Sequence, residues 1–129
     1  MAKEVNAHTV AIIEYEERLA GLLTQYFRIK DFHIGFIAYD ENDALAFLLN
    51  SDPLPGIIVL DHREHVMDGI KLMKEIHEVN PNIQIIFLAP DHFIVEEAIS
   101  SGAAVFLKKP VDITEINRAV IKILSRSNP

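Results

Sequence analysis

Gly56-Ile57-Ile58-Val59-Leu60-Asp61 is an apolar run that ends in a single carboxylate. Pro55 precedes it, and the polar stretch His62-Arg63-Glu64-His65 follows. A short, continuous apolar run of this kind fits a strand buried on both faces, as in a parallel sheet. In such sheets ligands and chemistry gather at the carboxyl ends of the strands. Asp61 is therefore the first candidate for a reactive group.

Apolar blocks alternate with amphipathic stretches on both sides of this run. Thr9 to Ile13 predicts a first strand, and Glu16 to Arg28 a helix with Leu19, Leu22, Leu23, Tyr26 and Phe27 on one face. His33 to Tyr39 reads as the second strand and Asp43 to Asn50 as a short helix with an Asp-rich start. Pro53, Pro55 and Gly56 break that helix before the third strand, Ile57 to Leu60. A third helix runs from about Asp68 to Val79 and stops at Asn80-Pro81-Asn82. Ile83 to Leu88 is the fourth strand. Asp91 is expected to cap a helix reaching Ser101, with Gly102 as its C-terminal left-handed residue. Ala104 to Leu107 is the fifth strand. Asp112-Ile113-Thr114-Glu115 has the form of a capping box opening the last helix, which buries Ile113, Ile116, Val120 and Ile123.

Five strands alternating with five helices predict an α/β domain with a doubly wound, five-stranded parallel sheet and right-handed crossovers. The expected strand order is the flavodoxin-like 2-1-3-4-5. At 129 residues the chain has room for one domain with a core. That core is expected over about residues 9–125, with residues 1–8 and 126–129 as flexible ends. No apolar run approaches the ~20 residues of a membrane span. The start, Met1-Ala2-Lys3-Glu4-Val5-Asn6, lacks a signal-peptide apolar block, so a cytoplasmic location is expected. The absence of cysteine excludes disulfides, thiolate metal sites and cysteine nucleophiles. A net charge of −7 argues against direct nucleic-acid binding, whose affinity comes from clustered Lys and Arg.

In the order 2-1-3-4-5 the ends of strands one and three meet, which makes Glu14 and Asp61 neighbours. Two carboxylates in one crevice suit a divalent cation or a phosphoryl site. Lys109, after strand five, brings an ammonium to the same rim. With these residues in view, the chain resembles the receiver domain of bacterial two-component response regulators, the CheY-like domains, over about residues 9 to 125. Ile57 to Asp61 followed by Met67-Asp68-Gly69 is similar to the family's phosphoacceptor strand and the motif that opens its third helix. Gly102-Ala103 with Phe106-Leu107-Lys108-Lys109-Pro110 is similar to its second signature. The resemblance implies that Asp61 is the phosphoacceptor, that Lys109 contacts the phosphoryl group, and that Lys109-Pro110 is a cis peptide. It also implies a Mg²⁺ site formed by Glu14, Asp61 and the backbone carbonyl of Arg63.

Three departures from the family pattern bear on mechanism. Strand one of the family usually ends in two adjacent acids, whereas this chain has Glu14-Tyr15, so Mg²⁺ binding is expected to be weak or absent. Glu16 and Glu17 are read as first-turn helix acids. The hydroxyl residue expected at the end of strand four is Ala89, followed by Pro90, so the switch pair Ala89 and Phe106 lacks its first hydrogen bond. The loop after Asp61 is charged. Arg63 is read either as leaning in to neutralise Asp61 and Glu14 in place of a metal, or as facing solvent. A Zn²⁺ or Ni²⁺ site from His62, His65, Glu64 and Asp61 is the less favoured reading of the same loop.

Two functions follow as expectations. One is a receiver in phosphorelay signal transduction, with no enzymatic activity beyond self-catalysed phosphoryl transfer to Asp61 from a histidine kinase or small phosphodonor. The other is a pseudo-receiver, a phosphorylation-independent protein-protein interaction module. Partners implied are a histidine kinase or phosphotransfer protein and an effector protein or fused output domain. A homodimer through the fourth helix, fifth strand and fifth helix is a further expectation. A flavin or nucleotide enzyme is disfavoured, because Glu14-Tyr15-Glu16-Glu17 is acidic and glycine-free where phosphate binding wants backbone N–H donors.

Overall fold

The apolar segments assemble side by side because each strand has two faces to bury and a sheet covered on both sides can bury them. The computed structural model describes residues 3–126. Its strands are β1 (Val5–Ile13), β2 (His33–Ala38), β3 (Leu54–Asp61), β4 (Gln84–Ala89) and β5 (Val105–Lys108). All pairings are parallel, in the order β2-β1-β3-β4-β5. The helices are α1 (Glu17–Ile29), α2 (Glu41–Leu49), α3 (Gly69–Val79), α4 (Val95–Ser100) and α5 (Ile113–Arg126). This is the flavodoxin-like, doubly wound architecture.

β3 lies at the centre and is buried along its whole length. Its side chains alternate between the two layers of core, as the two-residue strand period requires. Ile58 and Leu60 join α2, α3 and α4 through Ala44, Leu48, Leu72, Met73, Ile76 and Ala98. Ile57 and Val59 join α1 and α5 through Leu23, Phe27, Ile116, Val120 and Ile123. Each such side chain contributes about 1.5–3 kcal/mol by leaving water.

Two boundaries differ from the sequence reading. β1 starts at Val5 rather than Thr9, so strand structure reaches into residues 5–8, while residues 1, 2 and 127–129 lie outside the described residues. Asn6, Ala7 and His8 are exposed, and it is the pairing of Val5 and Asn6 with β3, before a break in register, that extends the strand where no apolar pattern announces it. β3 correspondingly begins at Leu54 and includes Pro55 and Gly56, which were read as breakers. Pro55 pairs with Asn6 near the start of the strand, where a missing N–H is tolerated. At Gly56 a Cβ would stand 2.6 Å from the Asn6 carbonyl oxygen, so close strand approach dictates the glycine.

The fourth helix is also shorter than its sequence suggests. Asp91 accepts from the Phe93 N–H at 2.9 Å, but residues His92–Ile94 form a 3₁₀ turn and only Val95–Ser100 are α-helical. The run Phe93-Ile94-Val95 is aromatic and β-branched, which disfavours regular helix. The capping box of α5 forms reciprocally: the Glu115 N–H donates to Asp112 at 2.9 Å and the Asp112 N–H to Glu115 at 3.3 Å. Gly102 adopts φ of 118° after α4, with the His77 ring 2.8 Å from where a Cβ would stand.

Two glycines test this packing in opposite directions. Gly56→Val is expected to destabilise by about 1–3 kcal/mol through overpacking against β1. Gly21→Ala, in α1 with nothing within 4 Å of the added carbon, is expected to stabilise by about 0.5–1 kcal/mol. Urea midpoints at constant slope measure both, and a neutral Gly56→Val would contradict the close approach.

Candidate functional site

Three strand ends deliver the charged groups. Glu14 follows β1 and is held there by its N–H, which donates to the Ala38 carbonyl at 3.0 Å. Asp61 is the last residue of β3, and Lys109 follows β5, its N–H donating to the Ala89 carbonyl at 2.8 Å. The Lys109 ammonium lies among four carboxylate oxygens. It donates to Asp61 Oδ1 at 2.9 Å, to both Glu14 oxygens at 3.2 Å and to Glu16 Oε1 at 3.1 Å. Glu14 and Asp61 are fully buried, and Lys109 is 9% exposed. The Lys109–Pro110 peptide is cis.

Glu16 is the residue the sequence reading left out of the site. It stands just before α1 rather than in its first turn, and its carboxylate turns back to Lys109 and to Arg63 Nη2, at 3.4 Å. The acid run from Glu14 to Glu17 carried the signal, but helix phase alone could not say which acid turns inward. Arg63 also differs from expectation. Its guanidinium bonds neither Asp61 nor Glu14; it lies over the Tyr15 ring, 4.9 Å from the centroid, and pairs with Glu16. The Tyr15 ring faces Lys109 as well, at 5.3 Å.

The charges decide the protonation states. Burial, then the nearby Asp61 charge, pushes the Glu14 carboxyl up to about 8, although the Glu16 N–H and Lys109 pull it back. Burial opposes the Lys109 charge, but the hydrogen bond to Asp61 and the charges of Glu14 and Asp61 outweigh it and hold the ammonium above its usual range. The hydrogen bond from Lys109 pulls Glu16 down.

The loop after Asp61 is ordered by its own bonds. His62 does not join His65 and Glu64 in a metal site. Its Nδ1 accepts from the Gly69 N–H at 2.9 Å, and its ring stacks on Phe87 at 5.6 Å, which in turn stacks on Phe106 at 6.1 Å. His65 and Glu64 sit together in solvent, 3.8 Å apart. The Arg63 carbonyl accepts from the Val66 and Met67 N–H groups at 3.0 and 2.8 Å. Ala89 is fully buried at the end of β4 and offers only a methyl group.

Residues 10–121 match the family described as response regulator receiver domain. The chain belongs to that family. It is 26% identical over 121 residues to the chemotaxis protein CheY of Bacillus subtilis (strain 168), covering 92% of this chain and 99% of that protein. It is 27% identical over 117 residues to the regulatory protein AtoC of Escherichia coli (strain K12), covering 89% of this chain but only 25% of AtoC. The receiver thus spans about a quarter of that relative's length. Among solved structures, the CheX–CheY–BeF₃–Mg²⁺ complex from Borrelia burgdorferi contains a chain with a TM-score of 0.81 and 27% identity, matched over 90% of this chain and 88% of that one.

This receiver is therefore a two-component signalling domain, and such domains generally bind Mg²⁺ in the phosphorylation site. The residues here do not fit that ion as arranged. Tyr15 stands where a second acid would, the Arg63 carbonyl already accepts two amides, and the Lys109 ammonium fills the space between the carboxylates. Among the described residues no group of three or more His, Asp or Glu side chains is arranged to hold a metal ion. Nor is any described helix long and apolar enough to cross a membrane.

The Glu14 shift sets the sign of a pH effect. Its folded value, about 8, lies above the ordinary 4.5, so the folded protein keeps a proton that the unfolded chain releases. The stability this contributes is complete below about 4.5 and is lost as pH rises through about 8. In buffer free of divalent cations, Glu14→Gln is expected to match the wild type near pH 4.5 and to unfold at a higher temperature than it at pH 8. Lys109→Met, which leaves the buried carboxylates without their cation, is expected to cost about 3–5 kcal/mol. Thermal melts across this pH range check both, and a Glu14→Gln curve parallel to the wild type would refute the assignment.

Proposed function

We propose that Asp61 accepts a phosphoryl group from the phosphohistidine of a histidine kinase or phosphotransfer protein, or from a small phosphodonor. The observation that carries this reading is the divided state of its carboxylate: Lys109 holds Oδ1 at 2.9 Å, while Oδ2 has no hydrogen-bond partner among the described residues. A lone pair on Oδ2 forms the new P–O bond, the donor's P–N bond breaks, and its electron pair leaves with the nitrogen. Lys109 is the phosphoryl contact, since its ammonium already lies at the acceptor carboxylate. Mg²⁺ binding is weak on this reading, because Tyr15 replaces a second acid and the Lys109 ammonium already engages Glu14 and Asp61.

Readout on this proposal goes through protein contacts rather than nucleic acid, in keeping with the charge of −7, and in the cytoplasm. The output partner or fused domain, or a second copy of this chain, meets the face of α4, β5 and α5. Ile99 of α4 and Ile121 of α5 are exposed, as is Phe93 in the turn before α4.

A second reading, a module that works without phosphorylation, is favoured by Ala89. A methyl group at the end of β4 cannot bond a phosphoryl oxygen and so cannot pull the following loop toward it. Incubation with phosphoramidate and Mg²⁺ or Mn²⁺ separates the two. The expected result is a mass gain of one phosphoryl group that Asp61→Asn abolishes. No gain with any donor or cation would leave the phosphorylation-independent module standing.

A further inference from the structure

Two buried side-chain atoms of the described residues lack a hydrogen-bond partner, and both belong to this site: Asp61 Oδ2 and Arg63 Nε. One is an acceptor on the carboxylate that ends β3 and the other a donor on a guanidinium of the loop that follows, two residues further along the chain. Buried groups of this kind are normally paired, so an unpaired acceptor and an unpaired donor two residues apart, at a site where the ammonium on Asp61 and the guanidinium share Glu16 Oε1, point to a third group. That group must use Oδ2 and offer an acceptor to Arg63. A tetrahedral phosphoryl group bonded to Oδ2 does both, because it consumes the Oδ2 lone pair and turns acceptor oxygens outward.

Arg63 is held in place for such a contact. Its backbone bridges to Met67 in both directions, the N–H donating at 3.1 Å and the carbonyl accepting at 2.8 Å, and Met67 is buried in the core. The Tyr15 ring supports its guanidinium from one side, and Glu16 holds Nη2. Glu16 Oε1 is shared with the Lys109 ammonium, so the two cations stand one oxygen apart. The planar guanidinium keeps its Nε–H unspent while Nη2 is engaged, a division that lysine's single ammonium cannot reproduce.

We infer that Arg63 is a phosphoryl-binding residue of this receiver, its guanidinium acting with Lys109 as the cationic clamp in place of a divalent cation. The inference rests on Asp61 being the phosphoacceptor and adds how the group is held. It accounts for three departures together: Tyr15 is a platform for the guanidinium, Arg63 supplies the charge, and the Nε–H supplies the hydrogen bond that Ala89 cannot.

The test uses beryllofluoride, a phosphoryl mimic, with binding followed by ¹⁹F NMR and thermal shift, and phosphoramidate labelling followed by intact mass. Each is run in EDTA and in excess Mg²⁺. Wild type is expected to bind and to label in EDTA with less than about a tenfold gain from Mg²⁺. Arg63→Ala should weaken beryllofluoride binding in EDTA by about tenfold or more, and Arg63→Lys should recover only part of it. If Arg63→Ala fails to fold, the comparison is made with Arg63→Lys. Strict Mg²⁺ dependence of the wild type, or equal binding by Arg63→Ala and wild type in EDTA, would overturn the role of Arg63 and leave Asp61 as acceptor. No binding or labelling by the wild type under any condition would remove the Asp61 reading, and this inference with it.

Discussion

One ammonium group holds the functional end of this domain together. Lys109 reaches the carboxylates of Glu14, Glu16 and Asp61 at once, and without it two fully buried acids would face each other in a medium of low polarity. Everything that brings these groups together is fold. The β1–β3 pairing sets Glu14 beside Asp61, the β4–β5 pairing and the Ala89 carbonyl set Lys109 opposite them, and the start of α1 turns Glu16 inward. The same contact leaves one oxygen of Asp61 unpartnered, so a stabilising ion pair and a reactive carboxylate share one residue.

The departures from the receiver pattern are physically linked. Where a second acid would stand, Tyr15 presents an aromatic face, and an arginine from the next loop lies on it. His62 is drawn inward by the Gly69 N–H and the Phe87 ring. Gly69 permits this closeness, since a Cβ there would meet the His62 Cβ at 2.8 Å. The resulting stack of His62, Phe87 and Phe106 connects the residue after Asp61 to β5 by packed rings, beside a position, Ala89, that has no hydroxyl to do so. The loop whose sequence shows only charge and candidate ligands is, in three dimensions, part core and part site.

Much of the fold was legible because apolar strands and amphipathic helices repeat with their own periods, and parallel strands buried on both faces leave unbroken apolar runs. The start of β1 was not legible, since Asn6, Ala7 and His8 expose their side chains and the strand there is held by the pairing of Val5 and Asn6 with β3. Pro55 and Gly56 misled for the opposite reason: both are ordinary breakers, yet each suits a strand start that crosses close to β1. The carboxylates Glu14 and Asp61 and the lysine at 109 could be placed from the sequence because each lies at a strand end, and strand order determines which ends converge.

Chain position therefore determined the α/β class, the sheet order and the three charged groups that meet at its carboxyl edge. It did not determine where Glu16 and Arg63 point. Both lie in segments whose direction is settled by packing: one at the turn into α1, the other in a loop bridged to the buried Met67. A carboxylate or guanidinium in such a segment takes whichever partner the neighbouring elements bring within about 3–4 Å. That choice belongs to the assembled domain, because the competing partners come from β1, β3 and β5 and meet only once the sheet has formed.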